Sequence, residues 1–405
     1  MKPTVLVATT ARWFPTARLT VALANAGFTV YAVCPGGHPV AHTTAVARIF
    51  PYRGLAPLKS FAAAIAATNP DLVVPGDDLA TWHLHCLHAK NLRAGKSGAA
   101  ICALIARSLG APEYFPVIDD RMSFMQASQE AGVRVPQTAS IADYQELHRW
   151  IAKAGFPTVL KANGTSGGVG VRVLRDAESA QSALRILQAP PLLARAAKRA
   201  LFDRDTTLLR PSLRRVGSAV SAQSFITGEE ATSAVACWNG TVLASLHFEV
   251  LQKGHSSGHA TVLRRIAHPE MIATTEAMVR RLQLSGLQGF DFMLEEQSRD
   301  AYLIEINPRA TQVGHLSFGA SHDLPGALVS AISGIPAQPA PKVTENDTIA
   351  LFPQEWLRDP ASPYLHSGYH DVPWDQPDLL RACVRKAGGY SLSKLAQRYL
   401  QSRAG

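Results

Sequence analysis

Several familiar frames are missing from this 405-residue sequence. Its five cysteines (Cys34, Cys86, Cys102, Cys237 and Cys383) are scattered, odd in number and form no Cys-x-x-Cys pair, which argues against a disulfide scaffold and for reduced thiols. No stretch of about 18 apolar residues occurs, so no membrane-spanning helix is expected. The opening KPTVLVATTARWF lacks the long apolar core of a signal peptide, so a cytoplasmic protein is expected. No Gly-x-Gly-x-x-Gly follows the first strand-like run. Gly95-Lys96-Ser97 is not a phosphate loop either, because Lys90 stands where its first glycine is required. Aromatic residues are only 7% of the chain and charged residues 18%, ordinary values for a globular protein. The net charge of +9 is concentrated: Arg185–Arg215 alone carries eight basic residues against Asp203 and Asp205. That segment reads as a solvated helical excursion or as a lid or docking face for an anionic group, and with little aromatic interleaving no nucleic-acid partner is expected. Trp82–His88 holds three histidines, none spaced i, i+4, in an apolar helical stretch, and they read as packing and surface residues.

What is present begins with a buried-strand run, Val5–Thr10, then a helical pattern over Thr16–Ala26 closed by Gly27, then a second strand, Phe28–Pro35. Strand, helix and strand of these lengths make a βαβ unit. A helix over Leu58–Thr68 leads to Asp71–Asp78, a strand ending in an acidic turn. Residues 1–115 therefore read as an open α/β domain, with ligands expected at the carboxyl ends of its strands. Thr9, Thr10, Arg12, Asp77 and Asp78 lie at such ends and suit either a substrate pocket or turns and caps. From Asp119 come a helix closed by Gly132, a strand-like VRVPQTASI and a helix with Leu147, Trp150, Ile151 and Ala154 on one face, capped by Gly155. FPTVLKANGTSGGVGVRVL then gives strand, glycine loop and strand. Gly164, Gly167, Gly168 and Gly170 would let main-chain N–H groups approach phosphate oxygens, with the Lys161 ammonium beside them. Further strands follow after Val216, with Asn239-Gly240 as a hairpin turn.

The most informative stretch is Gly289–Arg309, GFDFMLEEQSRDAYLIEINPR. It reads as strands Phe290–Leu294 and Tyr302–Ile306 joined by a polar loop. Alternation puts Glu305 and Asn307 on one face. A register pairing Asp291 with Glu305 would set the two carboxylates about 5 Å apart. Two such carboxylates beside an amide oxygen suit a hard cation, and Mg²⁺ commonly completes its shell with phosphate oxygens.

This pattern, taken with the glycine loop and Lys161, resembles the ATP-grasp superfamily over Asp119 to about Gly334, nearest to its carbamoyl-phosphate-synthase-like and carboxylate–amine ligase branches. The resemblance implies an α/β and α+β multidomain fold: an N-terminal open α/β domain (1–115), then a two-lobed ATP-grasp domain (116–335). In the latter the small lobe would run over about 120–222, with the basic insertion at 185–215, and the large lobe over about 223–335. Residues 336–405 are left as a C-terminal extension without an assigned role. It further implies ATP with Mg²⁺, or Mn²⁺ in its place, and small-molecule carboxylate and amine substrates; a homodimer is the assembly to test. Arg121 would contact the α-phosphate, Lys161 the phosphates and adenine edge, and Gly167, Gly168 and Gly170 the β- and γ-phosphates. Gln223, Ser224, Phe225 and Ile226 would form the adenine-reading hinge, and Glu230 would hold the ribose. Asp291, Glu305 and Asn307 would bind the metal, and Arg309 would face the transferred phosphate. Gln223 and Asp291 stand where many relatives have Glu. The loop His255–His259 and Arg264, just before the hairpin, are expected to bind the substrate carboxylate. The implied reaction is acyl-phosphate formation followed by amide formation. Carboxyphosphate or carbamoyl chemistry, phosphotransfer and a non-catalytic nucleotide-binding regulator are the alternatives.

Overall fold

The computed structural model describes residues 2–163, 170–190, 217–254, 258–336 and 338–386. Three sheets are built along the chain. The first holds β1 (Thr4–Ala8), β2 (Thr29–Cys34), β3 (Val46–Pro51) and β4 (Leu72–Pro75) in the order β3-β2-β1-β4, all parallel. Val5, Leu6, Val7 and Ala8 have no exposed surface, the continuous apolar run expected where helices cover both faces. The helix Phe14–Ala26 ends on Gly27, whose φ of 114° lets the chain reverse into β2. Composition gave no hint of β3. It is an edge strand whose side chains are largely exposed or partly so, and such a strand needs no apolar pattern.

The small lobe is an antiparallel sheet of β5 (Thr138–Ile141), β6 (Thr158–Ala162), β7 (Val171–Leu174) and β8 (Val220–Ser224), ordered β5-β8-β6-β7. The helices Tyr144–Ala154 and Ala180–Gln188 cover one side, burying Leu147, Leu160, Leu184 and Leu187 in a common cluster. Trp150 and Ile151 pack against it, and Trp150 Nε1 donates to Thr158 Oγ1 at 2.7 Å. Most of the basic segment lies at 191–216, outside the described residues.

The large lobe is a seven-stranded sheet of β9 (Gly228–Trp238), β10 (Thr241–Lys253), β11 (Ala260–Arg265), β12 (Gly286–Glu295), β13 (Ala301–Asn307), β14 (Thr348–Ala350) and β15 (Tyr369–His370). Its order is β13-β12-β9-β10-β11-β14-β15. Asn239 and Gly240 join β9 to β10 with φ of 47° and 75°, the double left-handed turn that an Asn-Gly hairpin demands. The sheet packs against the N-terminal unit, because Leu6, Leu84 and Phe115 share one apolar cluster with Phe290, Phe292 and Leu303.

The described residues between 338 and 386 are not a separate appendage. They supply β14 and β15, and Phe352, Trp356 and Leu379 pack with Phe14, Ala17 and Val40 of the N-terminal unit. Asp371, only 1% exposed, ties three parts of the chain together. It is ion-paired with Arg18 and accepts from His315 Nε2 at 2.7 Å. Burial works to raise its pKa, but Arg18 and His315 outweigh burial and hold the carboxyl below its usual range. Breaking a buried pair leaves uncompensated charge. Asp371→Ala is therefore expected to cost about 3–5 kcal/mol of stability, measurable as a lower urea midpoint. An unchanged midpoint would mean that the C-terminal strands are held by apolar contacts alone.

Candidate functional site

Two adjoining cavities, of about 530 and 540 Å³, form one cleft between the small lobe and the large-lobe sheet, and Lys161, Glu230 and Lys253 line both. The first is walled by Val159, Val173, Met293 and Ile304 and closed by Gln223–Ile226. That is a flat apolar slot with main chain at its edge. Ser224 N–H is already bonded to Gln137 O, so Phe225 and Ile226, outside the ladders, supply the free edge. Gln223 is buried and its amide donates to Thr138 Oγ1 at 3.1 Å, a structural use for the side chain.

The second cavity holds the acidic pair. Asp291 stands directly opposite Glu305, as the sequence pattern required, and Gly289 opposite Asn307. Thr232 Oγ1 donates to Asp291 Oδ1 and Asn307 Nδ2 to Asp291 Oδ2, each at 2.8 Å. The Asn307 oxygen accepts from Arg309 Nη2 at 2.9 Å and retains a second lone pair. A Cβ on Gly289 would lie 2.4 Å from Thr311 Cγ2, so a glycine there allows the loop after Arg309 to close against β12.

Arg121 starts the helix Arg121–Glu130, whose N-cap, Asp120, accepts from Ser123 N and from Asn163 Nδ2. Its Nη2 reaches Glu305 at 3.3 Å, while Nε and Nη1 are buried with no hydrogen-bond partner. Lys161 is 6% exposed, and burial first, then the Arg121 charge, lower its pKa to about 8. Orphaned guanidinium donors beside a desolvated ammonium fit a multiply charged anion. The all-oxygen set of Asp291, Glu305 and Asn307 fits a hard divalent cation.

Asp291 carries the sharpest electrostatic signature. Burial, then the Glu305 charge, push its pKa up to about 6, against hydrogen bonds from Thr232 and Asn307. Below that pH a proton holds the site, and above it the bare carboxylate is available to a cation. The rise in Tm produced by Mg²⁺ with ADP is expected to be large at pH 7.5 and to shrink as pH falls through about 6. An equal rise at pH 5 and pH 7.5 would separate Asp291 from cation binding.

Arg309 keeps 12% of its side-chain surface exposed and is held from several sides. Its Nε donates to Asp78 Oδ1 at 2.8 Å, its Nη1 to Ala310 O at 3.2 Å, and its guanidinium lies 5.5 Å from the Trp13 ring centroid. Burial works against its charge, but Asp78 outweighs burial and raises its pKa. The N-terminal unit thus reaches into the cleft. Of its sequence candidates, Asp77 proves structural: it caps the helix Asp78–Arg93 through Ala80 N and accepts from the Thr9 and Thr10 hydroxyls. Trp13, Thr232, Lys253 and Gln312 were not singled out from sequence, because no local pattern separates them from ordinary core or surface residues.

Glu230 faces the cleft but is salt-bridged to Lys253 at 2.6 Å. Gly170 ends the glycine stretch against β6, its carbonyl accepting from Ala162 N. Gly164, Gly167 and Gly168 lie outside the described residues, as do His255–Ser257; His259 lines the second cavity.

The expectation for Arg264 is corrected. It stands opposite Glu249, which stands opposite Ala231. Ala231 packs with Phe290 and Phe292 in the apolar cluster behind the sheet, and neither Glu249 nor Arg264 lines either cavity. Side-chain alternation thus sends Arg264 to the far face. There it pairs with Glu249, which also binds Arg299. Proximity in sequence to the hairpin did not reveal strand parity.

Comparison with known proteins places this geometry among relatives. The family described as "Carbamoyl-phosphate synthase L chain, ATP binding domain" matches residues 120–317. The carbamoyl phosphate synthase large chain of Kocuria rhizophila is 25% identical over 207 residues, covering 50% of this chain and 16% of that protein. The chain thus spans about a sixth of that relative's length. Among solved structures, an ADP complex of N5-carboxyaminoimidazole ribonucleotide synthetase superposes with a TM-score of 0.56 at 15% identity, covering 84% of this chain and 79% of the other. An L-amino acid ligase from Bacillus licheniformis gives a TM-score of 0.53 at 15% identity, covering 84% and 76%. At such identities these structures show a shared fold.

Proposed function

We propose that this chain, whose residues 120–317 match the carbamoyl-phosphate synthase L chain ATP-binding domain, is a member of the ATP-grasp superfamily and an ADP-forming carboxylate–amine ligase. One observation carries the reading: Asp291, Glu305 and Asn307 meet on one face of β12–β13 in the cavity that Lys161 also lines, with Arg121 in contact with Glu305. Opposed carboxylates and unpartnered cationic donors around one cavity are what a metal-chelated triphosphate requires.

In this reading the apolar slot takes the adenine against the Phe225–Ile226 main chain, and Glu230 with Lys253 meets the ribose. Arg121 and Lys161 hold the phosphates. A Mg²⁺ ion bound by Asp291, Glu305 and Asn307 would neutralise phosphate charge and orient the terminal group. Arg309, fixed by Asp78 and Trp13, faces that group and the carboxylate that attacks it. One carboxylate oxygen bonds to the γ-phosphorus as ADP leaves. The amine then attacks the acyl carbon and phosphate departs with the electron pair of the broken C–O bond. Little covalent work falls to the protein; position and fixed charge do most of it.

The test is ADP and phosphate release from ATP and Mg²⁺ over a panel of carboxylates, bicarbonate included, and amino acids, singly and in pairs. A ligase releases ADP in proportion to amide only when an acid and an amine are both present. ADP formation with bicarbonate alone would favour carboxyphosphate chemistry. ATP binding without turnover on any pair would favour a regulator.

A further inference from the structure

Amide formation leaves one task that neither the metal ligands nor the phosphate-binding cations perform. An amine substrate is largely protonated at neutral pH, and an ammonium has no lone pair with which to attack. We propose that His259 is the general base that removes this proton, and that the second cavity, between Trp13, Arg309 and His259, is the subsite for a primary-amine nucleophile. The proposal rests on the ligase reading and adds a proton acceptor to it.

Elimination among the described titratable residues lining the second cavity leads to His259. Asp291 and Glu305 form the proposed cation site. Glu230 is spent on Lys253, and Asp78, outside the lining, is paired with Arg309. Lys161 is the buried ammonium on the nucleotide side, and Arg172 and Arg309 cannot accept a proton. His259 remains, and no described residue forms a hydrogen bond with its ring. Its ring centroid lies 5.7 Å from that of Trp13, which in turn lies 5.5 Å from the Arg309 guanidinium. These three side chains therefore line one wall of the cavity that holds the acidic pair. The unpartnered Gln312 Oε1 and Thr311 Oγ1 are buried in the same lining and are suited to accept from N–H groups.

The surroundings also set the ionisation state. His259 is an exposed residue at the rim of this cavity; partial desolvation there, with the nearby Arg309 charge opposing a second positive charge, lowers its pKa even though Asp78 pulls the other way. The ring is accordingly neutral at physiological pH and able to take a proton.

Atoms and charges balance. One ammonium proton moves to a His259 ring nitrogen, and the freed lone pair forms the C–N bond. The acyl C–O bond breaks, its electrons leaving with phosphate. The second N–H proton departs on that phosphate as hydrogen phosphate, and His259 returns its proton to solvent.

Hydroxylamine separates the two halves of the reaction, because it is already unprotonated at neutral pH and traps acyl phosphates as hydroxamates without a base. With the full-length protein and an accepted carboxylate, His259→Gln is expected to keep hydroxamate formation within about 3-fold of wild type. Amide formation with the amine should fall by about 10²-fold or more. Its rate should then climb tenfold per pH unit toward the amine's own pKa, and imidazole should restore part of the activity of His259→Ala. Amide and hydroxamate falling together, or both remaining unchanged, would overturn the proposal. A wild-type protein that forms neither ADP nor hydroxamate with any carboxylate would instead remove the ligase reading.

Discussion

Replacing Glu305 by alanine is expected to lower ATP turnover by about 10³-fold or more while leaving the protein folded. Glu305 faces Asp291 across the strand pair and receives Arg121 Nη2 at 3.3 Å, so one substitution removes a proposed cation ligand and frees the arginine proposed to bind phosphate from its partner. Two effects on stability oppose each other: the loss relieves the charge that helps push the Asp291 pKa up to about 6, and it leaves Arg121, 12% exposed, without this ion pair. The Asp291 pKa should accordingly fall toward the ordinary carboxylate range in the variant. Turnover within about tenfold of wild type would place the catalytic cation elsewhere.

The second large effect joins function to stability. Lys161→Met is expected to cut turnover by about 10²–10³-fold, yet to raise Tm by a few degrees. Lys161 is 6% exposed with its pKa lowered to about 8, so the folded state holds its proton less firmly than the unfolded chain does. A lysine so shifted destabilises the fold most below about pH 8, and the penalty is relieved as pH rises from there toward its unfolded value. Methionine fills similar space without the charge. The Tm gain should therefore be largest at neutral pH and nearly absent above about pH 10. A variant that loses stability as well as activity would show that the ammonium is internally paired rather than held ready for an anion.

How much of this was legible in the sequence follows from the range of each interaction. The β12–β13 pair could be read because alternation and a short polar loop fix parity and register, and Asp291 does stand opposite Glu305. The Asn239-Gly240 turn was equally local. Arg264 was misjudged for the opposite reason: its face depends on pairing with β10, and through β10 with β9, which no spacing within β11 encodes. Trp13 and Asp78 lie some 230 or more residues from the partners they meet, His259 and Arg309. Only the packing of the first sheet's unit against the large lobe brings them together. The described residues after 337 looked motif-free because they contribute two short strands, apolar side chains such as Phe352 and Trp356 packed on the N-terminal unit, and one buried aspartate, Asp371, whose partners Arg18 and His315 are distant in sequence.

The most direct test of an acyl-phosphate ligase follows oxygen atoms. Turnover with a carboxylate labelled with ¹⁸O in both oxygens, ATP, Mg²⁺ and the amine should place one ¹⁸O in each phosphate released, because the attacking carboxylate oxygen leaves on phosphorus. Phosphate carrying no label from the acid, formed at the same rate as amide, would contradict carboxylate activation by ATP in this cleft.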